Sequence, residues 1–373
     1  MMASKPQIKT WEDVLQIISG KNQKAVESPH GKYPIYGSGG VMGRANQYLC
    51  EAGTTIVGRK GTINNPIFVN ERFWNVDTAF GVSPGAQLNP RYLYYFCRHF
   101  NFKRLDKSTT IPSLAKRDLL SIEMPVPPLP EQKRIVAKIE ELFSELDSGV
   151  VTLKKIKQQL AVYRQAVLKA AFAHVAEKKT IREMSSVVTS GSRGWAQYYS
   201  DNGAKFIRIG NLTRDNIRVD LSDVQYVDLP EDAEGKRTQL KPNDVLVSIT
   251  ADLGSIGLVP DNIGDAYVNQ HIAMVRFNNP TQGKFMAWYL RSDYGQKDLL
   301  KNKRGGGKLG LGLDDIRDTK VPMMSDAEAI GILATIESRF SACDSIEKTV
   351  DAALQQAEAM RQSILKKAFE GDL

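Results

Sequence analysis

Arginine and lysine in this chain gather in loops that also carry glycine, serine or aromatic residues. Residues 36–49, YGSGGVMGRANQYL, hold Arg44. Arg59 and Lys60 follow the strand-like run TTIVG, and Lys103, Arg104 and Lys107 follow a helical stretch, with Ser108 and Thr109 behind them. Further along, TSGSRGWAQYY (189–199) presents Ser192, Arg193 and Trp195 beside two tyrosines. KNKRGGGKLG (301–310) sets Lys301, Lys303, Arg304 and Lys308 around three glycines. Such loops suit phosphate, because glycine lets backbone N–H groups and cations close on the anion. Arginine on a rigid loop can also read a guanine edge through two parallel hydrogen bonds. Any one of these cations alone is what a solvated surface carries; as loops they are the candidate contacts to a polyanion.

Residues for catalysis are missing by comparison. GSGGVMG (37–43) lacks the glycine spacing and the strand–helix frame of a dinucleotide site. In RGGGKLG (304–310) Lys308 precedes Leu309 rather than Ser or Thr, which a Walker-type loop requires. No Asn/Asp-Pro-Pro-aromatic run of an amino-methyltransferase is present, and Asn65-Pro66-Ile67 is the nearest approach. Asp252, Asp261 and Asp265 lie close in sequence, but turns require the same residue type. Cys50, Cys97 and Cys343 form no CxxC pair, and the four histidines are dispersed, so neither a disulfide framework nor a metal site is expected.

The elements that must position these loops come next. The 373 residues suggest two or three folded units. The net charge of +8 and pI near 9.2 favour a polyanionic partner, nucleic acid first. The N-terminus has no apolar signal core, and no stretch reaches the ~18 apolar residues of a membrane span, so a cytoplasmic protein without membrane contact is expected.

Residues 125–174 align without gaps to 322–371 at an offset of 197, with 19 identities in 50 positions. The ends agree best: YRQAVLKAAF (163–172) against MRQSILKKAF (360–369). Fainter parallels join the regions upstream: GTTIVGRKG (53–61) with NDVLVSITA (243–251), Asn75-Val76-Asp77 with Tyr267-Val268-Asn269, and RDLLSIEMP (117–125) with DDIRDTKVP (314–322). The chain therefore reads as globule, segment, globule, segment.

Each repeated segment predicts one long helix. The prolines at 125, 127, 128 and 130 bar a helix before Glu131. Apolar residues then step by four and three through Ile135, Ile139, Leu142, Leu146, Gly149, Leu153, Ile156, Leu160, Tyr163, Val167 and Ala170. The second seam is Ile332, Ile336, Arg339, Cys343, Ile346, Val350, Ala353, Ala357, Met360 and Ile364. A helix of ~40 residues is ~60 Å long and outruns a small globule. The two are expected to pair with each other, antiparallel and with pseudo-twofold symmetry. The globular halves read as mixed α/β, since short Val-, Ile- and Phe-rich runs alternate with turn signals and helical pieces.

At PPLPEQKRIVAKIEELFSELD, followed by the Gln-rich helix and YRQAVLKAAF, the chain resembles the specificity subunits of type I restriction–modification systems. SILKKAFEGDL, KYPIYGSGGVMGRANQYL, KFIRIGNL, KPNDVLVSIT and AYVNQHIAMVRF extend the resemblance over essentially the whole chain. SDAEAIGIL (325–333) departs from it, replacing the proline–glutamine helix start in the second copy. The resemblance implies an α+β architecture. Target-recognition domains at 1–126 and 176–322 would each precede a helical repeat, at 127–175 and 323–373, the helices spanning Glu131–Phe172 and Asp326–Phe369. It implies a subunit with no catalytic role and no cofactor of its own, each recognition domain reading half of a split double-stranded DNA site. Two modification methyltransferase subunits using S-adenosylmethionine would dock on the helical rod, whose candidate contact residues are Ile135, Ile139, Leu142, Leu146, Leu153, Ile156, Leu160, Ile336, Ile346, Val350, Met360 and Ile364. Restriction motor–endonuclease subunits using ATP and Mg2+ would join them in phage defence. The alternative is a stand-alone sequence-specific DNA-binding regulator.

Overall fold

The computed structural model describes residues 7–175, 177–191, 193–230, 238–301 and 310–373. It divides into two compact units, Met1–Leu153 with Asp351–Leu373, and Lys154–Val350.

Unit one begins with β1 (Gln7–Thr10), α1 (Trp11–Val14), β2 (Leu15–Ser19), β3 (Tyr33–Gly37), β4 (Gly40–Ala45), β5 (Thr54–Gly58), β6 (Ile67–Val69), β7 (Trp74–Asn75) and β8 (Ala79–Pro84). Then come α2 (Pro90–His99), α3 (Lys116–Leu120), β9 (Glu123–Val126) and the long α4 (Leu129–Phe172). An antiparallel sheet runs β2-β8-β5-β6, a smaller sheet runs β4-β3-β7 with β3 and β7 parallel, and β1 pairs with β9. β5 is buried along its whole length, Thr54 and Thr55 included, as a central strand covered on both faces must be.

Unit two contains β10 (Lys178–Thr180), α5 (Ile181–Met184), β11 (Ser185–Ser190), β12 (Tyr199–Ser200), β13 (Ala204–Ile207), β14 (Gln225–Val227), β15 (Val245–Ser248), β16 (Ile256–Leu258), β17 (Ala266–Val268) and β18 (Ile272–Phe277). α6 (Gly283–Arg291), α7 (Asp293–Leu299), α8 (Leu313–Arg317), β19 (Lys320–Pro322) and the long α9 (Asp326–Glu370) follow, α9 belonging to this unit as far as Val350 and α4 from Lys154 onward. Its main sheet is β11-β18-β15-β16, its second is β12-β14-β13-β17 with β13 and β17 parallel, and β10 pairs with β19.

The duplication therefore extends through the globular parts. β5 matches β15, β7 matches β17, and α3-β9 matches α8-β19, as the faint sequence parallels imply. Short helices α1 and α5 both open on a capping box, Thr10 with Asp13 and Thr180 with Glu183. A Cβ added at Gly20 would stand 1.8 Å from the Val76 carbonyl oxygen, and one at Gly191 1.9 Å from that of Val268. The same strand exit is thus pinched against the same neighbour twice.

Each unit buries the start of one long helix and the end of the other. In unit one, Ile135, Ile139 and Phe143 share a core with Leu365, Ala368 and Phe369. In unit two, Val167, Leu168 and Phe172 share one with Ala329, Ile336 and Phe340. Phe369 packs on Tyr92 and Phe96 of α2, and Phe172 on Phe285 and Tyr289 of α6. Within each unit the helices run antiparallel, and one contact occurs twice at the 197-residue offset. Arg361 bonds Asp147 with its guanidinium over Phe143, and Arg164 bonds Asp344 at 2.7 Å with its guanidinium over Phe340.

Three expectations are corrected. α4 begins at Leu129, with Pro130 inside its first turn, where the missing N–H leaves no bond unmade. Ile346 and Met360 are 47% and 46% exposed, while Phe340, Cys343 and Leu365 are buried. Ile346 and Met360 each lie one position off the buried stripe, which runs through Ile336, Phe340, Cys343, Val350 and Ala357 in alternating steps of four and three that start with four at Ile336. Tyr163 is also exposed, its hydroxyl accepting from Arg339 at 2.8 Å.

The proline–glutamine start has a physical cause. Gln132 is fully buried; its carbonyl accepts from Asn89 N–H at 2.7 Å, and its amide donates to Gln87 and Pro127 carbonyls at 2.8 Å each. It ties the start of α4 to the cap of α2. In the second copy Ala329 takes that place, and a Ser325–Glu328 capping box with Asn279 donating to Asp326 supplies the anchor. Gln132→Ala is expected to destabilise unit one by about 2–3 kcal/mol, since it strands buried backbone groups. Chemical denaturation checks this, and the Ala329→Gln change should give no matching gain.

His99 stacks on Phe369 at 5.5 Å, and burial holds its imidazole below the usual range, opposed by Glu370. The unfolded chain then binds a proton that the folded chain refuses, so stability falls as pH drops below about 6.5. Thermal melts at pH 7.5 and pH 5.5 should differ less for His99→Phe than for the natural chain.

Candidate nucleic-acid interface

In unit one the site forms where the parallel pair β3/β7 ends beside the end of β5. Arg59 and Lys60 leave β5 and are held by the Thr78 carbonyl, while Leu114 N–H donates to Arg59 and Gly61 N–H to Pro112. Lys60 and Ser113 form an isolated bridge. Loop 106–113 is therefore drawn alongside Arg59-Lys60. Asp106 organises that loop, accepting from Ser108 hydroxyl at 2.6 Å and from Ser108 and Ser113 N–H at 3.0 Å each. These bonds, the Ser108 hydroxyl foremost, hold its carboxyl below the usual range. Arg59 donates to the Asp77 carbonyl at 3.4 Å and lies over Phe80. It lines one groove with Lys107, Lys116, Ser108 and Ser113.

The other cations divide. Lys60, Lys103 and Arg104 are exposed, the last two on the turn Phe102–Leu105 that leads into the loop. Lys107 is exposed but pairs with Asp118 at 2.9 Å. Arg44 points elsewhere: its guanidinium donates to the Gly31 and Lys32 carbonyls at 2.6 and 2.7 Å, so it braces the hairpin.

Unit two repeats the frame with different residues. Ile249 and Thr250 occupy the places of Arg59 and Lys60: Ile249 N–H donates to His271, Leu311 N–H to Ile249, and Thr250 bridges Gly310. Gly310 and Leu311 thus stand against Ile249-Thr250 as Ser113 and Leu114 stand against Arg59-Lys60 in unit one. Lys301 is exposed; Lys303, Arg304, Lys308 and Ser192 lie outside the described residues. Arg193 is exposed on the segment leaving β11. Trp195 is a correction: it is 5% exposed, stacked on Phe206 and edge-on to Tyr267, so it holds its loop from within and offers no face to a base.

Sequence reasoning missed Arg208, Asn269, Thr250 and His271. Asn269 N–H donates to Ile207, and Thr250 Oγ1 lies 2.8 Å from His271 Nδ1. Arg208, Gly210, Asn269 and His271 line one hollow at the ends of β13 and β17. The signal was present in KFIRIGN and AYVNQHI: parallel strands that end together present their next residues on one edge.

All three cysteines are buried, and burial pushes the Cys50 thiol up to about 12. Asp252 is engaged by Arg214 and Ser255 rather than turned to Asp261 or Asp265. Among the described residues no group of three or more His, Cys, Asp or Glu side chains could hold a metal.

The model for the type I restriction modification DNA specificity domain matches residues 4–160 and again 177–356. The Type I restriction enzyme EcoBI specificity subunit of Escherichia coli is 28% identical over 356 residues, covering 85% of this chain and 73% of its own length. The EcoKI specificity subunit of Escherichia coli K12 is 26% identical, with 80% and 69% covered. Among solved structures, a chain from work on complex assembly and conformational transition of the type I R-M system superposes over the full length of both at TM-score 0.76 and 17% identity. The HsdS subunit from Thermoanaerobacter tengcongensis gives 0.55 at 17% identity, covering 98% of this chain and 97% of its own. At such identities the solved structures establish a shared fold.

Proposed function

Because the chain belongs to the family of type I restriction modification DNA specificity domains, we propose that it is the specificity subunit of a type I restriction–modification complex, each unit reading one half of a split double-stranded DNA site. Recognition is its whole task. Methyl transfer from S-adenosylmethionine is assigned to two modification subunits docked on the paired helices. ATP- and Mg2+-dependent cleavage is assigned to restriction subunits that join them. Recognition domains at 1–126 and 176–322 with helical repeats at 127–175 and 323–373 fit this division of labour, and cytoplasmic DNA is the substrate. Among the described residues no helix is long and apolar enough to cross a membrane.

The duplication carries the reading. Two globules with one frame place a loop-rich surface at the same strand ends, yet fill it with Arg59-Lys60 in one case and Ile249-Thr250 in the other. A pair of readers for two unlike half-sites requires this combination of shared scaffold and divergent loops. Basic loops supply the phosphate term that positions a reader, and base edges supply the specificity.

The test is affinity capture of the tagged chain from its native cell, with partners identified by mass spectrometry. Two methyltransferase-like subunits for each copy of the chain support the reading. The chain alone on DNA would overturn it in favour of an independent regulator.

A further inference from the structure

We propose that Val41, Met42 and Ile111 read thymine in the half-site bound by unit one, through apolar contact with its 5-methyl group. The inference rests on the specificity-subunit reading and adds to it a base, a chemical group and three residues.

Val41, Met42 and Ile111 are 63%, 61% and 64% exposed. Neighbouring residues on a strand normally face opposite sides, so Val41 and Met42 should not both face water. A bulge makes it so: the β3–β4 register steps from Ile35 opposite Gly43 to Tyr36 opposite Val41, leaving Met42 unpaired. Bulges re-aim side chains and concentrate beside functional sites. Gly37 completes the device, because a Cβ there would stand 2.6 Å from the Met42 sulfur. Gly39 and Gly40 leave the hairpin tip open, Gly40 at φ 127°.

Three apolar side chains in water would be a liability on their own. Their surroundings say what covers them. A Cβ at Gly61 would lie 3.9 Å from Ser38 Oγ, so the hairpin tip sits against the Arg59-Lys60-Gly61 turn. On the other flank of that turn, Gly61 N–H bonds Pro112, the residue after Ile111. The apolar residues thus flank a cationic turn on two sides. A protein partner would have to meet the cations Arg59 and Lys60 there with carboxylates set beside apolar contacts, whereas a duplex offers both halves of the match. Phosphates meet Arg59 and Lys60, and in the major groove thymine is the base whose edge carries a methyl group.

The full chain, purified with the subunits it retains, is used to select duplexes from a random pool. Thymines in both selected half-sites are then replaced singly by deoxyuridine, which removes only the methyl. At one or more positions of one half-site, affinity should fall about fourfold. The exposed-site variant Val41→Ser/Met42→Ser/Ile111→Ser should bind thymine and uracil versions equally. Absence of thymine from both half-sites, or indifference of the natural chain to every replacement, overturns the proposal. So does a loss that persists in the variant. Weakening of the variant by one common factor on both versions, so that the natural preference for thymine survives, is that same overturning result and points to a wedge between base steps. A pool that yields no sequence preference is a different failure: it removes the specificity reading, and this inference falls with it.

Discussion

Replacing Lys60, Lys103 and Arg104 together by glutamate is expected to lower affinity for the selected duplex by about 100-fold at ~0.1 M salt, or about 2.7 kcal/mol. Each phosphate contact contributes about 0.9 to the slope of log affinity against log salt, so the slope should shrink by nearly three. All three side chains are exposed, and the fold should survive their reversal. Preference among sequences should change little, since phosphate contacts position without specifying. A salt titration of binding separates the possibilities. An unchanged slope would mean these residues face solvent in the complex, and the cationic surface would have to be sought elsewhere. Arg44→Glu is the informative contrast. Its guanidinium caps two backbone carbonyls, so the cost should appear in thermal stability rather than in the salt slope.

That contrast marks how far sequence could reach into the site. Composition picked out loops 59–61, 103–109 and 301–310 as candidates, because cations beside glycine, serine or threonine are a compositional signal. It could not separate Lys60 from Arg44, since only the folded backbone decides which guanidinium meets a carbonyl. Trp195 shows the same limit: an aromatic beside Arg193 reads like a stacking platform, and its burial under Phe206 and Tyr267 depends on the pairing of β13 with the distant β17. Arg208 and His271 were hidden for the opposite reason. Each is a single polar residue after an apolar run, and its meaning comes from the parallel pairing of β13 with β17, which no local pattern encodes.

The fold was more legible, because repetition is visible without geometry. The 197-residue offset carries Asp147 to Asp344, Phe143 to Phe340 and Arg164 to Arg361, and these residues make one clamp twice. The heptad reading found the right helices but the wrong members at Ile346 and Met360, because that seam steps three from Ile336 where the buried stripe steps four, to Phe340, and steps of three and four look alike in a sequence this poor in large apolar residues. The anchor at Gln132 was visible as a motif, and its three buried hydrogen bonds explain why a glutamine stands there.

Lengthening both helices by seven residues between the two clamps should widen the gap between half-sites by about three base pairs while leaving both half-site sequences as they were. Seven residues preserve the apolar period at two turns, and at 1.5 Å per residue they add ~10 Å. That is about three steps of 3.4 Å along a duplex. Both helices must be lengthened, because the antiparallel clamps Arg361–Asp147 and Arg164–Asp344 hold them in register and a one-sided insertion would break one or the other. Mapping methylated sites in cells carrying the lengthened chain reads the outcome directly. The natural 44- and 45-residue helices would then be the measure of the natural gap. An unchanged gap would show that the spacing is set by the partners or by the DNA, and the paired helices would be left with docking alone. The charge reversal and the insertion act on separable terms, one on affinity at fixed spacing and the other on spacing at fixed affinity. A chain that answered both in the same way could not be built as two readers on a ruler.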